Sequence, residues 1–310
     1  MTSFPSDIPA LIRSLEILEY TLDDLDQSMQ RVVEAIDKLD AVSKNAKEQL
    51  LHQFKNKINR SFLDQAISDI NDQISLQEQQ LLDFSSNKYC KKDRAWFISN
   101  LTQWPNDKIF DKEGIDYLKL RLSNFNDFRH NGLEIGCGKG YWYEWLAALS
   151  PLYQVDINWN FFSEIASQFQ PLFFAKDRMR FVKTTGTNLP EVTDNTIDFV
   201  FSWNTFNFLP VDVINEYLIS IHRAMKPGAY AIIGYTNAYR DDSYQQVLKG
   251  HWAYNNSKLI HKSIAKIGFE PRALFETGLC GSWIEFIKSG TKIHTVDYPK
   301  PGTGYCKKVF

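Results

Sequence analysis

Residues 131–140 read NGLEIGCGKG, and the rest of the chain takes its meaning from them. Leu133 to Ile135 alternate apolar and acidic residues, as the end of a strand does. Gly136, Gly138 and Gly140 follow at a spacing of two, and then YWYEWLAAL, whose composition predicts a helix over 141–149. A strand that turns through glycines into a helix brings bare backbone N–H groups and a helix N-terminus up to a ligand.

A dinucleotide-binding fingerprint needs its third glycine one place later, where this chain has Tyr141. GxGxG behind the acid Glu134 instead resembles the class I S-adenosylmethionine-dependent methyltransferases. Further landmarks of that family follow in order. LYQVDIN ends a second apolar run at Asp156, twenty residues past Gly136, and an acid at that strand tip is placed for the two ribose hydroxyls of an adenosine. RFVKTTGTNLP gives a strand and a loop ending at Pro190. The family commonly has Asp five residues before this proline, to accept from the adenine amino group. Thr185 stands there instead, its hydroxyl able to accept that bond and the Gly186 N–H placed to donate to the ring, with Thr187 or Asn188 as the alternatives for the adenine contact. TIDFVFSWNTFNFLP resembles the family's fourth strand, and Lys226-Pro227-Gly228 its turn before the fifth.

The resemblance covers roughly residues 95–290. It implies a doubly wound, Rossmann-like sheet of seven strands, with S-adenosylmethionine as cofactor and S-adenosylhomocysteine as product. The strand–helix alternation predicts a doubly wound sheet independently, with ligands outside the carboxyl ends of its strands. The resemblance places the cofactor on Glu134, Gly136, Cys137, Gly138, Gly140, Asp156, Ile157, Thr185, Gly186, Thr187, Asn188, Trp203 and Asn204. Phe206, Asn207, Tyr239 and Trp252 are the expected acceptor lining, Tyr239 and Trp252 from a polar, aromatic insertion past Tyr235. Trp96, Trp104 and Tyr117 are candidates for the cofactor mouth, surface capping of the sheet being the alternative.

The first eighty or so residues are different in kind. Ile8, Leu11, Leu15, Leu18, Leu22, Leu25, Met29, Val32, Ile36 and Leu39 step by three and four, with charged and amide residues between. That 3.5-residue period predicts a supercoiled helix seam. It weakens near Ser43–Lys47 and returns through Leu50, Phe54, Ile58, Phe62, Ile67, Ile70, Ile74 and Leu81. Residues 1–86 are expected to be a helical coiled-coil segment, joining copies of the chain through residues 8–82 or folding back as a brace. Residues 87–310 form the methyltransferase domain, with a core at 125–290 and a loosely ordered tail at 291–310.

The totals set bounds. Net charge is −2 with no basic block, which argues against a nucleic-acid duplex as partner. The four cysteines lack CxxC spacing, giving no metal site and suiting a reducing compartment. With no apolar run long enough to span a bilayer and no signal peptide, the expectation is a cytoplasmic protein.

Methyl transfer from a sulfonium is an in-line displacement. The cofactor supplies the electrophile, and the protein positions and desolvates. Among six histidines, His251 in the insertion is the candidate base, with Asp241 and Asp242 as rivals. Thr205-Phe206 replaces the two prolines of the (D/N)PP(Y/F) motif used on nucleobase amines or protein glutamine, so that acceptor class is disfavoured. A small molecule or glycan methylated at oxygen is the first reading. A protein target docked through the coiled segment, or a scaffold that binds cofactor without turnover, is the alternative.

Overall fold

The computed structural model describes residues 8–37, 44–46, 48, 49, 52, 60–91, 112–168, 178–278, 281–292, 294 and 296–310. Trp96, Trp104, Cys280, Leu39, Leu50, Phe54 and Ile58 lie outside these residues. The chain divides into two compact units, one ending at Leu81 and the other beginning at Leu82.

The first unit carries helix α1 (Ile8–Asp37) and most of α2 (Arg60–Lys91). Along α1 the stripe from Leu11 to Ile36 is less exposed than the charged positions between its members, as the 3.5-residue period requires. The Arg60 guanidinium donates to the Asp26 carboxylate, tying the start of α2 to α1. One seam position needs correction. Phe62 is 67% exposed, and the less exposed stripe of α2 runs instead through Leu63, Ile67, Ile70, Ile74 and Leu81. The step from Phe62 to Ile67 is five residues, which no 3.5-residue seam accommodates.

The second unit is the α/β domain. Its remaining elements are α3 (Lys112–Leu122), β1 (Gly132–Ile135), α4 (Tyr143–Leu146), β2 (Leu152–Asp156), α5 (Trp159–Gln168), β3 (Met179–Lys183), β4 (Ile197–Ser202), α6 (Val211–Ala224), β5 (Met225–Gly234), α7 (Asp241–Leu248), α8 (Ser257–Ile267), β6 (Phe269–Glu276), β7 (Ser282–Lys288) and β8 (Cys306–Val309). The sheet order is β3-β2-β1-β4-β5-β7-β6-β8. β3, β2, β1, β4 and β5 are parallel, and β7, β6 and β8 complete the sheet antiparallel. β1, β2 and β4 are buried along their whole length, because helices cover both faces of the parallel part. One face is packed with Ile214, Leu218, Ile221 and Ile264, the other with Leu118, Leu122, Trp142 and Leu146.

Two expectations are corrected here. The sheet has eight strands, because the tail supplies β8, which pairs antiparallel with β6. The tail is tied down before it gets there: Arg121 Nη1 donates to Asp297 O at 2.8 Å, and the Tyr298 and Tyr230 hydroxyls lie 3.1 Å apart. His294 packs its ring against Phe125 and His130, and burial holds its imidazole down at about 4. The expected helix over 141–149 is one turn, Tyr143–Leu146. It stops where Ala148 N donates to the Asn126 side chain at 2.9 Å and Leu149 N closes a tight turn on Leu146 O.

The N-terminal edge of the sheet is fixed by Asp198. Its carboxylate accepts from Asn131 N at 2.9 Å and from Lys226 Nζ at 2.8 Å, bridging the starts of β1, β4 and β5. Asp198 therefore belongs to the edge opposite the glycine loop.

Candidate active site

The glycine loop leaves β1 with Gly136 at φ +73°. A Cβ there would lie 1.7 Å from Thr205 Oγ1, so both backbone and space demand glycine. The N–H groups of the loop are not bare. Gly136 N and Cys137 N donate to Val155 O at 2.8 and 3.2 Å, Gly140 N to Cys137 O at 2.9 Å, and Gly138 N to Asp156 Oδ2 at 3.0 Å. With α4 only one turn long, the loop is not an anion cradle on a helix N-terminus, which corrects the sequence-based expectation. It is a rigid rim whose shape is set by β2. A Cβ on Gly138 would meet nothing within 4 Å, so the open side of the loop begins there.

Asp156 makes that rim. Oδ1 accepts from Asn158 N at 2.8 Å, Oδ2 from Gly138 N, and the Ile157 N–H is a further donor. Burial raises its carboxyl above the usual range, against the pull of these backbone donors. Each carboxylate oxygen carries a second lone pair, so the same group can still take a ribose hydroxyl.

Glu134 is 1% exposed and accepts from Gln154 Nε2 at 2.8 Å, its partner in the β1–β2 register. Burial pushes its carboxyl up to about 8; the Gln154 hydrogen bond pulls it down and the Asp156 charge adds to the rise. The sign for stability follows. The folded chain holds the proton more tightly than the unfolded one, so this contribution is complete below about 4.5 and is lost as pH rises through about 8. Glu134→Gln should therefore flatten the fall in melting temperature between pH 5 and 8.5, by an amount worth about 2–4 kcal/mol. Thermal unfolding of both proteins across that range checks it. Cys137 is also buried, and burial raises its thiol well above the usual range, which leaves it unreactive.

The loop after β3 is organised by its own side chains. Asn188 Oδ1 accepts from Thr185 N and Thr185 Oγ1, both at 3.0 Å, and Gly186 N donates to Thr184 Oγ1 at 3.1 Å. The Gly186 N–H expected to serve a ligand ring is thus already engaged. Thr187 O accepts from Ser220 Oγ at 2.9 Å. A Cβ on Gly186 would meet nothing within 4 Å, which leaves room along this loop as along Gly138.

At the tip of β4, Ser202 Oγ and Thr205 Oγ1 both donate to Ile135 O, at 2.9 and 3.3 Å, clasping the start of the glycine loop. Trp203 and Asn204 lie between these clasps. Asn204 has φ +60°, and its Oδ1 is buried with no hydrogen-bond partner among the described residues. Phe206 lies in the core against Tyr217, at 5.5 Å, rather than on an open surface. Trp252 is likewise 1% exposed. Both expected lining residues are packing residues here, because apolar burial outweighs any gain from presenting them to solvent. Asn207 uses its carbonyl to hold the insertion, accepting from Thr236 Oγ1 at 3.1 Å and Ala253 N at 2.9 Å. Tyr239 is half-buried, its N–H 3.4 Å from Asn237 Oδ1.

The candidate bases separate by position. His130 and His294 pack with their rings tilted against each other beside Asp127, near the Asp198 edge. His222 packs on Phe269 and His261 on Phe310. His251 is exposed in the insertion, its Nδ1 2.9 Å from Gln246 Oε1. Asp242 is held in a two-point ion pair by Arg240, at 3.1 and 2.7 Å. Residues that sequence reading missed are Trp142 and Trp283, which flank Trp203 at 5.7 and 5.8 Å between ring centroids. Tyr117 continues this aromatic row, 5.8 Å from Phe275 and 5.2 Å from Tyr305.

Residues 133–233 match the family described as a methyltransferase domain. The α/β domain of this chain is thus similar to methyltransferase domains, and residues 133–233 are the part that matches. No curated protein matches the chain significantly. Among solved structures, a methyltransferase dependent on S-adenosylmethionine from Aquifex aeolicus is 17% identical over 61% of this chain and 97% of its own, with a TM-score of 0.46. A protein from Pyrococcus horikoshii is 16% identical over 62% and 99%, at 0.48. Geranyl diphosphate C-methyltransferase from Streptomyces coelicolor is 9% identical over 57% and 78%, at 0.46. Likenesses this distant say nothing about the acceptor.

Proposed function

We propose that the chain methylates a small molecule or glycan, at oxygen. The observation that carries this reading is the tip of β4, where a half-buried indole and an unpartnered amide oxygen adjoin an intact glycine loop. In this reading Glu134, Gly136, Cys137, Gly138, Gly140, Asp156 and Ile157 hold the cofactor, with Thr185 to Asn188 along its adenine. The cofactor fits the residues present: Gly138 and Gly186 keep the rim open, and Asp156 retains lone pairs for hydroxyls. When bound, the cofactor supplies an electrophilic methyl group. The protein's part is to exclude water and to fix the acceptor oxygen in line.

A hydroxyl acceptor gains from a base, and among the histidines described above His251 is the one in the insertion; it bonds to Gln246 and lies two residues before Ala253, whose N–H donates to Asn207 O. His251→Asn should lower kcat about 100-fold or more with the cofactor Kd unchanged. Single-turnover transfer from labelled cofactor across pH 6–9 checks it. The helical segment of residues 8–82 is proposed to pair copies of the chain, which sedimentation of the full-length protein tests. The functional reading itself is tested by product formation. Labelled methyl recovered on a glycan or small hydroxylated acceptor supports it, and label recovered only on protein overturns it.

A further inference from the structure

The insertion returns to the domain through residues 251–256, and most of that return is buried where a loop is ordinarily exposed. Trp252 is 1% exposed and Ala253, Tyr254, Asn255 and Asn256 are fully buried, in a stretch that belongs to no helix or strand. Irregular backbone is stable inside a protein only where its N–H groups are met one by one. Along this return they are met in succession. His251 N and Trp252 N donate to Gln246 O at 2.9 and 3.3 Å, Ala253 N to Asn207 O at 2.9 Å, and Tyr254 N to Ser85 Oγ at 2.9 Å. Asn255 Nδ2 then donates to Leu209 O at 2.9 Å, and Asn256 Oδ1 caps α8 by accepting from Leu259 N at 2.8 Å.

Ser85 stands apart from the other backbone acceptors. Gln246 and Asn207 offer carbonyls of the insertion and of the β4 tip. Ser85 offers a side chain from 169 residues away, on the part of α2 that belongs to the second unit. It lies four residues past Leu81, on the helix face where the seam calls for an apolar residue, and it is 2% exposed. Serine is a poor helix former, and its hydroxyl is costly to bury without a partner. What it supplies here is an acceptor that an apolar residue lacks.

His251 stands at the exposed end of the return, three residues before Tyr254. The backbone between them has little slack. Gln246 O holds one end, while Asn207 O and Ser85 Oγ hold neighbouring peptides at the other, from two different elements.

We infer that Ser85 is a positioning residue of the acceptor side. Through the Tyr254 N–H it fixes the return of the insertion against the β4 tip, and so fixes where His251 stands. This rests on the methyltransferase reading above, in which His251 is the base. It makes the end of α2 part of the acceptor-side wall rather than of a separable docking arm.

The test compares the full-length chain with Ser85→Ala, both saturated with S-adenosylhomocysteine. Amide hydrogen exchange is read along the backbone, and ring 15N resonances are read in histidine-labelled protein, that of His251 being assigned with His251→Asn. Alanine leaves the buried Tyr254 N–H without this acceptor. Exchange across residues 251–256 should quicken about tenfold or more, with β1 and β4 unchanged within about twofold. The His251 ring resonances should shift, and the S-adenosylhomocysteine Kd should stay within about twofold. A merely structural serine would quicken exchange throughout the domain or leave the alanine variant unfolded, and either result would overturn the inference. So would unchanged exchange at 251–256, or a His251 ring that does not respond while the return loosens. Failure of the unmodified chain to bind S-adenosylhomocysteine is a separate outcome, visible before any variant is made, and it would remove the underlying reading and the inference with it.

Discussion

Gly136→Ala is expected to abolish cofactor binding and to cost about 2–4 kcal/mol of stability. Two independent penalties meet at this position. The backbone sits at φ +73°, where any side chain strains it. The new methyl would also lie 1.7 Å from Thr205 Oγ1 and 2.8 Å from Thr205 Cβ. Thr205 cannot swing away cheaply, because its hydroxyl is bonded to Ile135 O, one residue before the glycine. The relief is therefore a movement of the loop, which carries Gly138 away from Asp156 and dismantles the rim. Gly138→Ala is the control. It bears a similar backbone penalty at φ +50° but no clash, since nothing lies within 4 Å of its Cβ. It should lose about 1 kcal/mol of stability, and any loss of cofactor affinity then reports the ligand's own approach to that open side. Chemical denaturation and titration calorimetry on the two variants separate these effects.

Arg121→Met is expected to destabilise the second unit by about 3–5 kcal/mol. The guanidinium makes a two-point pair with Glu285, Nε to Oε1 at 2.8 Å and Nη2 to Oε2 at 2.6 Å, and Glu285 is fully buried. Removing the cation leaves a buried carboxylate that must lose its charge or its burial. The same side chain holds the tail through Asp297 O and lies over the Tyr298 ring at 4.8 Å, so the strap that leads to β8 loosens with it. The double replacement Arg121→Met with Glu285→Met should recover most of the loss, because two apolar groups of similar size restore packing without a buried charge. Urea unfolding of the single and double variants checks the sign. A double variant no better than the single one would show that the tail contact, not the ion pair, dominates.

The parallel half of the sheet was legible because each of its strands announces itself twice, by an apolar run and by the turn that ends it. Glu134 before the glycines and Asp156 at the next strand tip are separated by one strand–helix–strand unit, and each takes a bond across the β1–β2 pair, Glu134 from Gln154 and Asp156 from Gly138. What was not legible depends on partners distant in the chain. The 141–149 segment has helix-forming residues, but the Asn126 side chain takes the Ala148 N–H and ends the helix after a turn. Phe206 and Trp252 are aromatic residues beside the site in sequence, yet packing against the core claims them. The tail was read as loose because glycine and proline dominate it. Its order comes from Arg121 and Tyr230, more than sixty residues away in the chain, as the spacings of 176 and 68 residues show. The aromatic flank of Trp203 was missed for the same reason, since Trp142 and Trp283 join it from opposite ends of the domain.

The most direct test of the central claim is isothermal titration of the full-length protein with S-adenosylmethionine and S-adenosylhomocysteine, repeated on Asp156→Ala. The account predicts one site per chain with micromolar affinity, weakened at least 100-fold when the Asp156 carboxylate is removed. Equal affinity in the two proteins would contradict it, because the rim that Asp156 builds would then have no part in holding the cofactor.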